Sequence, residues 1–313
     1  AHDVQASRID AYRILEQKGR ISTVLYQAKA IDVVPDGMIE PIKFMVGPRT
    51  KITLGGEPVE FTDLRDRDRV AVTHDAPDTK APEALTIAAE RDPDRLRWAL
   101  VLVAQNYDDK TISPLSYPLA DSTLLKEVLT QRYQVPSDQI LVLADNSLVQ
   151  IRQEIPEFLR RITNDGRLVV FVSGHAYKDA EQRVWLAPKS YDLKHPAAQG
   201  VALQWLVDQL EGCQAKEKLL LLDTSHTGSG SDLTNEPSTA EMIGMLKGLP
   251  GRTPLRTVTA IASCSAGQRG MSLPDKGHSL FAWLIADAYR GRADENRNSR
   301  VEVGELYNYL QKT

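Results

Sequence analysis

Cysteine is nearly absent from this sequence, which contains only Cys213 and Cys264. Two cysteines make no disulfide framework, so they do not define the redox compartment. No apolar run approaches the length of a membrane span, and no secretory signal peptide is recognisable. The formal net charge is only -4 and both signs are interspersed. This balance argues against nucleic acid and against an anionic membrane surface as partners.

The length and the hydrophobic content are sufficient for two domains. The chain has 313 residues, of which 42% are hydrophobic, and this allows a large core. It begins at Ala1 rather than at methionine, so we expect a fragment or a processed form, with any signal or anchor outside it. A soluble compartment such as the cytoplasm is expected, whereas the sequence leaves the oligomeric state open.

Residues 1–95 are predicted to form a small β-barrel or sandwich with a short N-terminal helix. Ser7 and the apolar residues that follow it predict a helix that ends at Gly19. Short alternating segments then follow, separated by turn signals such as Pro35-Asp36-Gly37, Gly47-Pro48 and Gly55-Gly56, and they predict five or six strands. Small barrels include oligonucleotide binders. The alternating charges of residues 65–69 and the scarcity of aromatics favour a spacer, a lid or a partner-binding module instead.

Residues 96–313 show a different pattern, in which apolar strands alternate with amphipathic helices. The segment Trp98–Val103 is predicted to be a buried strand, and Ala120–Gln131 has helical periodicity. Ser147 is predicted to cap the next helix. Repeated strand-helix units predict a parallel sheet with right-handed crossovers. The sequence therefore indicates an α/β domain after a linker at Arg91–Asp94.

Two of the predicted strands end abruptly in small polar residues. Leu168–Val172 is followed by Ser173-Gly174-His175, and Leu219–Leu222 is followed by Asp223-Thr224-Ser225-His226. Open α/β folds bind their ligands at the carboxyl ends of parallel strands. One strand therefore delivers a histidine to this edge, and the other delivers a hydroxyl group.

These two motifs resemble those of the caspase and metacaspase peptidases, which commonly read Ser-Gly-His-Gly and Asp-x-Cys-His-Ser-Gly. The interval of 50 residues from His175 to Ser225 fits the spacing of about 50 residues in that family. The resemblance extends over residues 95–313 and implies a three-layer α/β/α sandwich with endopeptidase activity. The main departure is that Ser225 stands where the family has its nucleophilic cysteine.

The resemblance also implies roles for the residues at the strand ends. His175 would be the base, Ser225 would occupy the nucleophile position, and the N–H groups of Gly174 and Ser225 would form the oxyanion hole. No metal ligand is implied. Because a serine hydroxyl needs a well-oriented base, we expect Ser225 to remove most or all of the peptidase activity.

A substrate pocket for arginine or lysine is implied by three further residues. Asp223, Ser173 and Asp121 resemble the acidic pocket that selects a basic residue before the cut in metacaspase-like enzymes. Asp223 also fits a strand-end carboxylate that accepts hydrogen bonds from nearby N–H groups. Asp121 equally fits a plain helix cap.

Three interpretations of Ser225 are left open by the sequence. In the first, the catalytic cysteine has been lost naturally, which makes the domain a pseudo-peptidase that binds a peptide or protein partner. Alternatively, Ser225 is an engineered inactivation of a working metacaspase-like endopeptidase, or a working serine nucleophile. Ala176 and Thr227 also depart from the family motifs, and they favour the first interpretation.

The remaining polar residues are interpreted as structural. His226 alternates away from the site, His278 fits a core or cap residue, and Cys264 lacks a base nearby in sequence. We expect no cofactor. Calcium is the alternative, because acidic and amide side chains recur at the spacing of an EF-hand loop, although Ser299 replaces its glycine. These positions are Asp294, Asn296, Asn298, Arg300, Glu302 and Glu305.

Overall fold

The computed structural model describes residues 14–75, 80–91, 96–224, 237, 239–248, 255–265, 268–298 and 300–312. The chain divides into two compact units, Ala1–Pro93 and Asp94–Thr313. Among the helices in these ranges, none combines the length and apolar character required to cross a membrane.

The first unit is a small all-β, barrel-like domain, as predicted. Its strands are β1 (Ile14–Leu25), β2 (Ala30–Pro35), β3 (Ile42–Leu54), β4 (Glu57–Pro58), β5 (Arg69–Asp75) and β6 (Glu83–Glu90). They follow the order β2-β1-β5-β6-β3-β4, and an additional pairing of β2 with β3 closes the barrel. Alternate residues point inward, so that Ile31, Phe44 and Ile87 are fully buried in its core.

The helix predicted at the start of this unit is wrong over the residues that the structure describes. Ile14–Gly19 belong to β1, and Ile14 to Arg20 pair antiparallel with Asp75 to Arg69. The ladder of β5 supplies partners for the backbone groups of this segment, and this pairing outweighs its weak helical periodicity. The rest of the predicted helix, before Ile14, lies outside the described residues.

Two of the three predicted turns are present in this unit. Gly37, Gly55 and Gly56 have φ angles of +81°, +61° and +91°, which favour glycine. The turn predicted at Gly47-Pro48 is instead a bulge within β3, because the pairing of β3 with β6 shifts register between Val46 and Lys51.

The second unit is built on a five-stranded parallel sheet with the order β14-β13-β9-β7-β8. Its strands are β7 (Arg97–Val103), β8 (Ile140–Ala144), β9 (Arg167–Ser173), β13 (Glu217–Asp223) and β14 (Val258–Ala262). The short strands β10 (Ala176–Lys178), β11 (Val184–Leu186) and β12 (Val201–Ala202) form a second sheet, and β15 (Ser272–Leu273) pairs with β16 (His278–Ser279).

Helices cover both faces of the parallel sheet. They are α1 (Pro118–Gln131), α2 (Leu148–Leu159), α3 (Pro196–Gln199), α4 (Leu203–Gly212), α5 (Thr239–Gly248), α6 (Leu280–Asp287) and α7 (Val303–Lys312). Helices α1 and α6 pack with Ala99 and Val101 on one face. Helices α2 and α4 pack with Leu100 and Leu102 on the other face. Strand residues are therefore buried on both sides, which explains their continuous apolar runs.

The helix boundaries follow local sequence signals. Ser147 caps α2 as predicted: its side chain accepts a hydrogen bond from the backbone of Gln150, and the Gln150 side chain bonds back to the Ser147 backbone. Proline opens α1 at its first helical position. Helix α5 was not predicted from the sequence.

Candidate functional site

The candidate site lies at the carboxyl ends of β7, β9 and β13. Ser173, the last residue of β9, is in register with Asp223 of β13 and with Val103 of β7. Parallel pairing in register places side chains of paired residues on the same face. The two motifs that are distant in sequence are therefore neighbours at one edge of the sheet.

His175 is buried and held at two points. Its relative exposure is 1%. Its backbone N–H donates to the phenol oxygen of Tyr107 at 3.0 Å, and the phenol donates to the carbonyl of Ala104 at 3.1 Å. The imidazole Nε2 lies 2.9 Å from the carbonyl oxygen of Ser113. These contacts fix both the backbone and the ring of His175.

The contact with Ser113 determines the tautomer of His175. A carbonyl oxygen can only accept a hydrogen bond, so Nε2 carries the proton in this contact. In the neutral ring the lone pair is then on Nδ1, which is the nitrogen that can take a proton from a nucleophile. The ring also lies between the aromatic rings of Tyr107 and Tyr177, at centroid distances of 5.3 and 5.9 Å.

The loop that carries Tyr107 and Ser113 is anchored by Asp145, which follows β8. The Asp145 carboxylate accepts hydrogen bonds from the backbone N–H of Gln105 at 2.7 Å and from the side chain of Asn106 at 2.7 Å. Hydrogen bonds to a carboxylate are stronger than hydrogen bonds between two neutral groups. Asp145 therefore acts on His175 through the loop.

Gly174 has a backbone conformation that other residues rarely adopt. Its φ is +153°, and a Cβ placed on it would approach the carbonyl oxygen of Ala104 to 3.3 Å. A narrow cavity lined by Gly174, His175 and Thr224 begins at this point. Glycine therefore allows the chain to turn between β9 and His175.

Asp223 is a buried carboxylate with no hydrogen-bond partner among the residues that the structure describes. Its relative exposure is 1%, and both carboxylate oxygens lack a partner there. The hydroxyl of Ser173, its register neighbour, also lacks one within the described part of the chain. Burying a charge without a partner is costly. The three oxygens form an acceptor group suited to a cation.

Asp121 lies nearby but is already hydrogen bonded. It is fully buried in the first turn of α1, and its carboxylate accepts the backbone N–H of Ser279 at 3.2 and 3.3 Å. Nδ1 of His278 lies 2.9 Å from Oδ1 of Asp121. Asp121 therefore connects α1 to the strand before α6 instead of capping its own helix. The structural interpretation of His278 agrees with this contact.

Burial raises the pKa of Asp121 to about 6; hydrogen bonds from Ser279 and His278 oppose this shift, and the charge of Asp223 adds to it. Between about pH 4 and 6, the unfolded chain has lost this proton while the folded chain keeps it. The stability that the protonated form contributes at low pH is therefore lost as the pH rises through this range.

We accordingly expect Asp121→Asn, which does not titrate, to gain stability relative to the parent as the pH rises from 4 to 7. The gain should be on the order of 3 kcal/mol in the free energy of unfolding. Urea unfolding at several pH values measures it. Asp208→Asn, an exposed position on α4, should give a nearly constant difference. A constant difference for Asp121→Asn would contradict the assigned pKa direction.

Two residues of the second motif lie outside the described part of the chain. Ser225 and His226 fall in the range 225–236, which the structure does not describe. Cys264 is described, and its thiol donates to the carbonyl of Gln268 at 3.3 Å.

The loop considered for calcium uses its side chains to hold its own backbone. Glu305 accepts N–H groups of Asn296 and Glu302, and Asp294 accepts that of Asn298. Within the described ranges, no group of three or more His, Cys, Asp or Glu side chains could hold a metal ion. No calcium site is therefore assigned.

The model of the family described as "Caspase domain" matches residues 96–312. Because this match extends over more than half of the chain, the protein belongs to the caspase-type peptidase family. The predicted relationship to the caspases and metacaspases is thereby confirmed.

The search of curated proteins found no match. Among solved structures, apo CusF from Escherichia coli (residues 6–88) is 14% identical, with a TM-score of 0.22 over 28% of this chain and 100% of that chain. Silver-bound CusF (residues 10–88) is also 14% identical, with a TM-score of 0.21 over 26% of this chain and 95% of that chain.

Proposed function

We propose that residues 96–313 form a caspase-like α/β/α sandwich that binds a protein or peptide through an arginine or lysine side chain. With Ser225 at the nucleophile position, the domain does not cut the bound peptide and acts as a pseudo-peptidase. Asp223 is the observation that carries the proposal. Its buried carboxylate and the Ser173 hydroxyl are left without partners in the described part of the chain, as expected of a pocket that a cation completes.

Asp121 supports the same specificity from a distance. It adds negative charge beside Asp223, since the charge of Asp223 contributes to raising the pKa of Asp121. Its oxygens already accept Ser279 and His278. In this proposal Asp121 contributes mainly through its charge, and Asp223 contacts the substrate.

The environment of His175 supports cysteine chemistry better than serine chemistry. In a cysteine peptidase, a thiolate attacks the scissile carbonyl, the C–N bond breaks, and an imidazolium protonates the departing amine. Water then hydrolyses the thioester. A serine hydroxyl does not ionise near neutral pH. The histidine that removes its proton therefore needs a carboxylate that orients the ring and stabilises the imidazolium. Nε2 of His175 lies against a neutral carbonyl, that of Ser113, which stabilises the imidazolium less than a carboxylate would.

An active peptidase captured as an engineered Cys→Ser variant is the second candidate. The observation that favours it is the intact support of His175 by Tyr107 and Ser113. A domain that had long lost catalysis would not need this histidine to be held at both its backbone and its ring.

The test is hydrolysis of fluorogenic arginine, lysine and aspartate peptides by the protein and by Ser225→Cys, with and without calcium. We expect the protein as given to be silent. Ser225→Cys should cut after arginine or lysine at a measurable rate, because a thiol reaches its nucleophilic anion far more readily than a serine hydroxyl does. Aspartate peptides should remain uncut.

Binding separates the remaining outcomes. If neither form cuts, fluorescence anisotropy with a labelled arginine peptide decides whether the pocket binds at all. Binding of arginine over aspartate peptides would support a pseudo-peptidase. If no form cuts or binds a basic peptide, or if cleavage follows aspartate, the proposed specificity is wrong.

A further inference from the structure

A large cavity lies at the amino ends of the parallel strands, on the face covered by α6 and α7. Its volume is about 810 Å³, and its wall includes Arg97, Arg167, Tyr133 and Tyr289. The strands are about 20 Å long, so the cavity is separated by that length from Ser173 and Asp223. The caspase-type chemistry described above makes no use of this end of the sheet.

The wall of this cavity carries an excess of positive charge. Among the residues that the structure describes, seven lysine and arginine residues line it, against three aspartate and glutamate residues. Of the seven, Lys218 donates to Thr257, which also lines the cavity, at 3.0 Å, and Arg290 lies over the ring of Trp283. Neither contact neutralises a positive charge, so the seven cationic residues face three acidic ones.

Arg97 and Arg167 bring like charges together at the centre of this wall. They are in register on the neighbouring parallel strands β7 and β9. Arg97 is 7% exposed, and its guanidinium donates to the carbonyl of Tyr133 at 2.6 Å and lies 4.7 Å from the ring centroid of Tyr133. Burial raises the pKa of Tyr133, and the charges of both arginines oppose this shift. Both guanidinium groups are therefore close to the same phenol.

A single carboxylate is in register with this pair. Glu217 of β13 pairs with Arg167, and their side chains are 3.1 Å apart. Like charges on neighbouring strands destabilise a sheet, and Glu217 is the carboxylate that the described strand pairing places beside Arg167. The planar guanidinium fork matches the oxygens of phosphate and carboxylate groups.

We propose that this cavity binds a multiply charged oxyanion, carried either by a small phosphate or carboxylate compound or by acidic side chains of a peptide. Arg167 is half-exposed and contacts the anion directly. Arg97 is held in place by Tyr133 and contributes its positive charge to the electrostatic potential at the anion. Glu217 competes with the ligand for Arg167.

The test is isothermal titration of the full chain with pyrophosphate and, separately, with hexaglutamate, at constant ionic strength maintained with chloride. Arg167→Gln should weaken binding by about tenfold or more, the change that corresponds to about 1.4 kcal/mol. Glu217→Gln should strengthen binding several-fold, because it removes the competing carboxylate. A merely structural role of this ion pair would not produce that increase.

Arg152→Gln is the matched control, because Arg152 is an exposed arginine on α2, which packs on the other face of the sheet. It should bind both probes as the parent does, and thermal unfolding checks that every variant is folded. Binding of pyrophosphate alone identifies a small phosphate-bearing ligand, and binding of hexaglutamate alone identifies an acidic peptide. Absence of binding by either probe at millimolar concentrations, or equal weakening in Arg152→Gln, would overturn the proposal.

Discussion

His175→Ala in the Ser225→Cys protein should reduce the hydrolysis of arginine peptides by about 100-fold to 10,000-fold relative to Ser225→Cys alone. This is the range for loss of a positioned acid–base group. Among the described residues of the two predicted motifs, His175 is the imidazole at the carboxyl edge of the sheet, and the Ser113 carbonyl sets its tautomer. Without it, no described group at this position takes the proton from the thiol or returns one to the departing amine.

The measurement is kcat/KM for a fluorogenic arginine peptide, with His195→Ala in the same background as control. His195 is exposed and pairs with Asp192 at 2.7 Å on the protein surface, so its loss should leave the rate nearly unchanged. Binding of the peptide should survive His175→Ala, because the pocket residues are untouched. Comparable rates for the two histidine variants would exclude His175 as the base.

Asp223→Asn should have the next largest effect, and it should act in opposite directions on binding and on stability. Loss of one partner of a buried charge pair costs roughly 2–5 kcal/mol. The affinity for an arginine peptide should therefore fall at least about 30-fold, since 1.36 kcal/mol corresponds to tenfold. In the free protein the buried carboxylate lacks a described partner, and an uncharged amide costs less to bury. Without peptide, the variant should unfold at a higher urea concentration.

Fluorescence anisotropy and urea unfolding measure these two effects on the same preparations. Asp208→Asn, at an exposed position on α4, should change neither value appreciably. If Asp223→Asn were less stable and bound the arginine peptide normally, Asp223 would instead be a structural carboxylate. The interpretation as a strand-end acceptor of N–H groups would then hold.

Much of the second unit could be predicted because its strands and helices have different periodicities. Trp98–Val103 is apolar at every position and is buried throughout in β7. Prediction failed where pairing distant in sequence decides the conformation. Ile14–Gly19 is such a case: its pairing partners, residues 70–75, lie more than fifty residues away, and no local signal indicates them. Strand β2 was also missed, although it closes the barrel by pairing with β3.

The candidate site was predictable in part for the same reason. Ser173, His175 and Asp223 stand at strand ends, and parallel pairing places strand ends together. Tyr107 and Ser113 could not be found, because they act on His175 from 68 and 62 residues away through a hydroxyl and a backbone carbonyl. Neither group depends on a recognisable motif. Asp145 offers only a weak sequence signal, as a carboxylate that directly follows the apolar segment of β8.

The strand order of the parallel sheet has a consequence for synthesis on the ribosome. From β7 the sheet extends to β9, β13 and β14 in the order in which the chain emerges, with β8 on the other side. Each later strand can add to an edge that is already formed, and domains generally fold as their residues become available. Residues up to His175 can therefore assemble a three-stranded sheet of β7, β8 and β9 that carries His175 directly after its last strand. The acidic pocket that we propose needs Asp223 of β13, so we expect a nascent chain to bind an arginine peptide only after Glu217–Asp223 has left the ribosome.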